Sequence, residues 1–190
     1  MQNASPAANY LDSAIKLFRY YKSLGDKSFT QLTNADINYK PEPESNSIAV
    51  IVQHLHGNML SRFTDFLTTD GEKVWRKRDE EIEESINNLE DQKAKWEEGW
   101  QVLFTALEGL KEEDATSIVY IRNQGHTVIE AVNRQLGHYA YHIGQIVYLA
   151  KAVRSVNWQT LSVAKGKTKE FNKEMFGKEK HRGTSYDTDK

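Results

Sequence analysis

Residues 82–110 read IEESINNLEDQKAKWEEGWQVLFTALEGL. Ile82, Ile86, Leu89, Trp96, Trp100, Leu103, Leu107 and Leu110 recur at alternating steps of four and three, with Lys93 the one polar member of the series. At about 100° of turn per residue this spacing keeps one apolar stripe on one side of an α-helix, whereas a half-buried strand would alternate every second residue. The stretch therefore predicts one long helix that packs in a nearly heptad manner. Lys93 is expected at the solvent edge of the stripe with its stem packed, and Trp96 and Trp100 are expected to fill a core rather than stack on a base or cofactor.

The same pattern extends in both directions. Ser5 before Pro6 reads as a helix cap with proline at the first helical position, and Tyr10, Ala14, Leu17, Phe18, Tyr21, Leu24 and Leu32 predict a helix over 6–32. Residues 33–46 carry Pro41 and Pro43 and predict a loop. Ile48, Ile51, Val52, Leu55, Met59, Phe63 and Phe66 predict a second helix that ends near residues 68–71, with Gly71 as terminator. The β-branched run 116–121 followed by Asn123, Gln124 and Gly125 predicts a small extended arm and turn. Thr127 and Glu130 form a capping-box pattern, which starts a fourth helix that runs through Ala152. Beyond Ser155 the chain is polar and lysine-rich, and Phe171, Met175 and Phe176 predict a short docking helix. The expected class is all-α, with a single domain over 1–176 and a polar, disordered tail over 177–190.

Composition narrows the function. Twenty-five Lys plus Arg stand against 27 Asp plus Glu, a formal charge of -2, so nucleic acid is not the expected partner. The longest apolar runs, Ile48 to Val52 and Ile146 to Ala150, are far short of the roughly 20 residues that cross a bilayer. No membrane partner is expected, and MQNASPAANY lacks the basic and apolar segments of a signal peptide, which makes a cytoplasmic location the expectation. Without cysteine, any metal must be held by His, Asp, Glu or backbone oxygen. Neither a Gly-x-Ser-x-Gly elbow nor a phosphate-binding glycine loop is present.

The chemistry-bearing feature is HYAYHIGQI at 138–146. His138 and His142 lie four residues apart, one helical turn, so both rings share one side and can bind one metal; the competing reading is two partly buried structural histidines. On the wheel they sit on a shoulder, about 100° from the centre of the apolar arc, where a metal could keep an open position. A third ligand must come from elsewhere, and the second helix offers His54 and His56. They point about 200° apart, so one metal can use only one of them. Periodicity leaves the choice open: His54 lies about 130° from the apolar centre and His56 about 70°. His54 shares a strip with Asn58, Ser61, Arg62 and Asp65, which reads either as a site lining or as a solvated face. Arg62 or Arg134 could hold a substrate carboxylate, and Gln145 could orient a ring nitrogen; each reads equally well as a bridging or surface residue.

VQHLHGNMLSRF at 52–63, TTDGEK at 68–73, Val132-Asn133-Arg134-Gln135 and HYAYHIGQI, taken in order and spacing, resemble the DinB/YfiT-like superfamily, in a branch known only as a domain of unknown function. The resemblance covers most of residues 5–176. It implies an up-down-down-up four-helix bundle that carries one divalent metal on His54, His138 and His142; three histidines suit zinc or nickel, with iron or manganese as alternatives. His56 falls where a small residue is usual in that branch. Asn58, Arg62, Arg134 and Gln145 would surround the metal or meet substrate. The implied activity is a metal-dependent transferase that uses a low-molecular-weight thiol such as bacillithiol, mycothiol or glutathione on an electrophilic substrate, in a homodimer. The alternatives are a non-enzymatic metal-binding stress-response protein and a helical dimeric interaction module with structural histidines.

Overall fold

The computed structural model describes residues 4–83, 85–180 and 183. The expected disordered tail over 177–190 falls mainly outside these residues. The protein is mostly helical, and its α-helices are α1 (Pro6–Phe29), α2 (Ile48–Phe63), α3 (Leu89–Glu108), α4 (Val128–Arg154) and α5 (Thr168–Phe176). Strands β1 (Ile118–Ile121) and β2 (Gln124–Thr127) form an antiparallel hairpin before α4. Each of the four long helices contributes to one core. α2 packs on α3 and α4, and α1 packs on α4 and α3.

The caps explain where the helices start. Ser5 Oγ accepts from the Ala8 amide at 3.1 Å, with Pro6 in the first turn, as the sequence indicates. Thr127 and Glu130 exchange hydrogen bonds of 2.8 and 3.2 Å, so α4 begins at Val128. α3 differs from its expected span. Asn88 Oδ1 accepts from the Asp91 amide at 2.9 Å, and this cap starts the helix at Leu89, not Ile82. Ile82 closes a short 3-10 turn and is 60% exposed, while Ile86 still reaches the core from irregular backbone. Within α3, Lys93 is exposed and Gln92 takes the buried place beside Trp96.

α2 also ends earlier than its apolar spacing indicates, because Asp65 takes a left-handed backbone (φ 49°) just beyond Phe63. The consequence is a long, largely irregular segment, residues 64–83 and 85–88, which folds back over the polar face of α2. Gln53 Nε2 donates to the carbonyls of Glu80 and Glu83 at 2.7 and 2.9 Å, and Ser61 Oγ donates to that of Gly71 at 2.7 Å. α2 is therefore buried around most of its circumference, with Asn58, Ser61 and Arg62 among the buried residues. Asp65, beyond the helix end, is exposed.

The hairpin turn is Arg122-Asn123, both with positive φ, as a two-residue turn of the I′ kind requires. Their amides donate to the Asp70 carboxylate at 2.9 and 2.8 Å, and the Gly71 amide donates to the Tyr120 carbonyl at 2.8 Å. These bonds pin the hairpin to the irregular segment. α5 forms where a docking helix was expected but buries no residue; Phe176 is 84% exposed. Its apolar residues are too few and too separated by lysine and glutamate to hold it on the core. Among the described residues no helix is long and apolar enough to cross a membrane.

Candidate metal centre

α4 presents His138 and His142 one turn apart, and α2 presents His54 opposite them. His54 Nε2 lies 3.3 Å from His138 Nε2, which lies 3.1 Å from His142 Nε2. The ligand atoms of the three residues all lie within 4.8 Å of one another. The ring planes are inclined at 64° to 76°, so the rings meet at their tips instead of stacking.

The other ring nitrogens are all occupied. His54 Nδ1 lies 3.0 Å from Glu81 Oε2, His138 Nδ1 lies 3.3 Å from Gln135 Oε1, and His142 Nδ1 lies 2.8 Å from Gln145 Oε1. Each partner atom is an acceptor, so each holds the proton on Nδ1 and leaves the Nε2 lone pair facing inward. Three inward lone pairs at these distances repel one another unless a cation lies between them. Protons on the α4 pair fill that place poorly: burial, then the neighbouring His142, His54, Arg134 and Arg62, push His138 down to about 3, and burial followed by His54 pushes His142 down despite its bond to Gln145. A tetrahedral ion with metal–nitrogen bonds of 2.0–2.1 Å has ligand nitrogens about 3.3 Å apart, so the donor set fits.

Glu81 is the group behind His54. Its carboxylate also accepts from Arg76 Nε and Nη2 at 2.7 and 2.8 Å. Burial alone would raise its pKa, but the bonds from Arg76 and His54 and the charge of Arg76 hold it below the usual range, so it stays ionised. Gly57 makes room for it, since a Cβ there would lie 2.3 Å from Glu81 Oε1. Sequence reading found neither Glu81 nor Arg76, which sit in an aperiodic segment, nor Gln135. The glycine inside an apolar helix was the available signal for a close approach.

The remaining residues singled out by sequence divide into those near the histidines and one that is not. Asn58 Oδ1 accepts from Tyr139 Oη at 2.9 Å. Arg62 donates to the Gly71 carbonyl and, through both terminal nitrogens, to Glu72 Oε2 at 3.1 Å. Asn58, Arg62 and Arg134 line one cavity of about 190 Å³ with His54 and His138. His56 instead pairs with Glu98 of α3 at 2.8 Å and takes no part in the cluster.

The model of a protein family of unknown function (DUF1572) matches residues 5–167. The chain belongs to this family. No curated protein matches it, and no solved structure does. The family match contains all three histidines, Glu81 and the two glutamines that hold the Nδ1 protons, and it ends just before α5.

Proposed function

We propose that the protein binds one divalent metal on His54, His138 and His142 and is a metal-dependent transferase acting with a low-molecular-weight thiol. The observation that carries the metal reading is the convergence of three Nε2 atoms whose Nδ1 partners are all acceptors. A divalent ion on three neutral imidazoles keeps its double charge and lowers the pKa of a thiol that reaches its open position. The protein's own groups supply the rest: Glu81, itself held by Arg76, fixes the His54 ring and increases its donor strength, and Gln135 and Gln145 do the same for the pair on α4. The thiol comes from outside, because the chain has no cysteine. The resemblance to the DinB/YfiT-like superfamily supports this reading and extends it to an up-down-down-up bundle over residues 1–176 that pairs as a homodimer.

Metal analysis of the purified chain tests the proposal, with about one divalent ion per chain expected and none in His138→Ala. In a cobalt-substituted sample, added glutathione or another small thiol should change the visible spectrum. Absence of metal uptake by the unaltered chain would sink the reading. Metal uptake without thiol binding or turnover, over a panel of thiols and electrophiles, would favour the non-enzymatic alternative.

A further inference from the structure

We infer that the cavity beside the three histidines is an oxyanion-binding basin that seats a small molecule bearing two or more negatively charged oxygen groups, carboxylate or phosphate. The inference deepens the metal reading and rests on it for the orientation of the ligand, since His54 and His138 line the same cavity.

Five guanidinium groups line this one space: Arg62, Arg76, Arg78, Arg122 and Arg134. They come from α2, the irregular segment, the hairpin turn and α4, so no local run of basic sequence produces the cluster. Nor does overall composition, as the chain carries a formal charge of -2. Two carboxylates answer three of the five. Glu72 pairs with Arg62 at 3.1 Å, Arg122 at 3.2 Å and Arg76 at 3.5 Å, while Glu81 holds Arg76. The guanidinium groups of Arg78 and Arg134 have no ion pair or hydrogen bond among the described residues. Asp70, the next carboxylate, is turned to the amides of Glu72, Arg122 and Asn123 and does not line the cavity.

The arrangement separates fixed donors from free ones. Arg62 and Arg76 are buried and anchored, which holds their planar forks in place. Arg78 and Arg134 are exposed at the cavity and can close on a ligand, and arginine suits the two-point recognition of carboxylate and phosphate. A volume of about 190 Å³ admits a small molecule. No Phe, Tyr or Trp side chain lines it to stack a base, which argues against a nucleic-acid strand.

Calorimetric titration of the full chain with inorganic phosphate, and separately with succinate, tests the inference on metal-free and metal-loaded samples whose metal content is measured independently. At least one anion should bind, and the Arg78→Gln/Arg134→Gln double variant should bind it about tenfold more weakly, at unchanged metal content and melting temperature. Preference for phosphate would assign a phosphate ester, and preference for succinate a polycarboxylate. Failure of both anions to bind, or equal binding by the double variant, would overturn the basin. Anion binding by a chain that takes up no metal would leave the basin standing and remove the metal reading instead.

Discussion

The molecule buries two very different layers, and they meet at one residue. On one side Trp100 contacts Phe18, Trp96, Phe104 and Tyr139 with ring centroids 5.4 to 6.3 Å apart. On the other, Glu81, Arg62, Asn58 and Gln135 are buried around the histidines through directed bonds. The aromatic layer gains stability from area and shape, with little demand on direction. The polar layer has to offset the desolvation of each charge with a partner, and what it obtains is position. The two layers should therefore fail differently. Trp100→Ala offers the largest test: the indole is fully buried and its N–H has no hydrogen-bond partner among the described residues, so ring volume is its contribution. Denaturant melts should show a loss of about 3–5 kcal/mol. The folded fraction should still carry its metal, and simultaneous loss of metal affinity would break the division.

Alterations in the polar layer should reverse that pattern. Glu81→Gln keeps the volume but withdraws the charge that faces His54 and Arg76, and metal affinity measured by chelator competition should fall about 10–100-fold. Gly57→Ala should move affinity in the same direction, because a Cβ at 2.3 Å displaces the Glu81 carboxylate. Proton linkage adds a signature that the aromatic layer lacks. In the metal-free protein His138 resists protonation down to about 3, while in the unfolded chain it accepts a proton below its ordinary value of 6.5. Stability should thus fall as pH drops from about 6.5 towards 3, and His138→Gln should flatten that part of the profile. A profile unchanged by the substitution would remove His138 as its source.

The aromatic layer was far more legible in the sequence than the polar one. Trp96, Trp100, Leu103 and Leu107 announce themselves by spacing because the interior they fill is defined by their own helix. Ser5, Thr127 with Glu130, and the residues around Asn123 were readable for a related reason, since caps and turns are bonds between near neighbours. The start of α3 was misplaced where two such rules conflicted: the apolar stripe continues to Ile82, but Asn88 caps the helix at Leu89. The polar layer depends on contacts between distant segments. A helical wheel does not know that α4 lies against the His54 side of α2 and bonds Asn58, nor that residues 64–83 return to cover Ser61 and Arg62. A strip that reads equally as lining or solvated surface is settled by the segment that covers it. Glu81 reaches His54 across 27 residues with no periodicity to mark it.

Tyr139 belongs to both layers and gives the finest test of their independence. Its ring contacts Phe18 and Trp100 at 5.8 and 5.9 Å, while its hydroxyl donates to Asn58 Oδ1 at 2.9 Å. Burial raises its pKa well above that of a free phenol, so the hydroxyl is a fixed donor at every working pH. Tyr139→Phe keeps the ring and removes one bond, which should cost about 1 kcal/mol, more if Asn58 is left without a partner. The informative quantity is its coupling to Glu81→Gln in a double-mutant cycle read by metal affinity. If the layers are separate, the two effects add within about 0.5 kcal/mol. Coupling well above that would mean that Asn58 carries strain from the aromatic packing to the histidines, so that the core of this fold also sets the geometry of its metal centre.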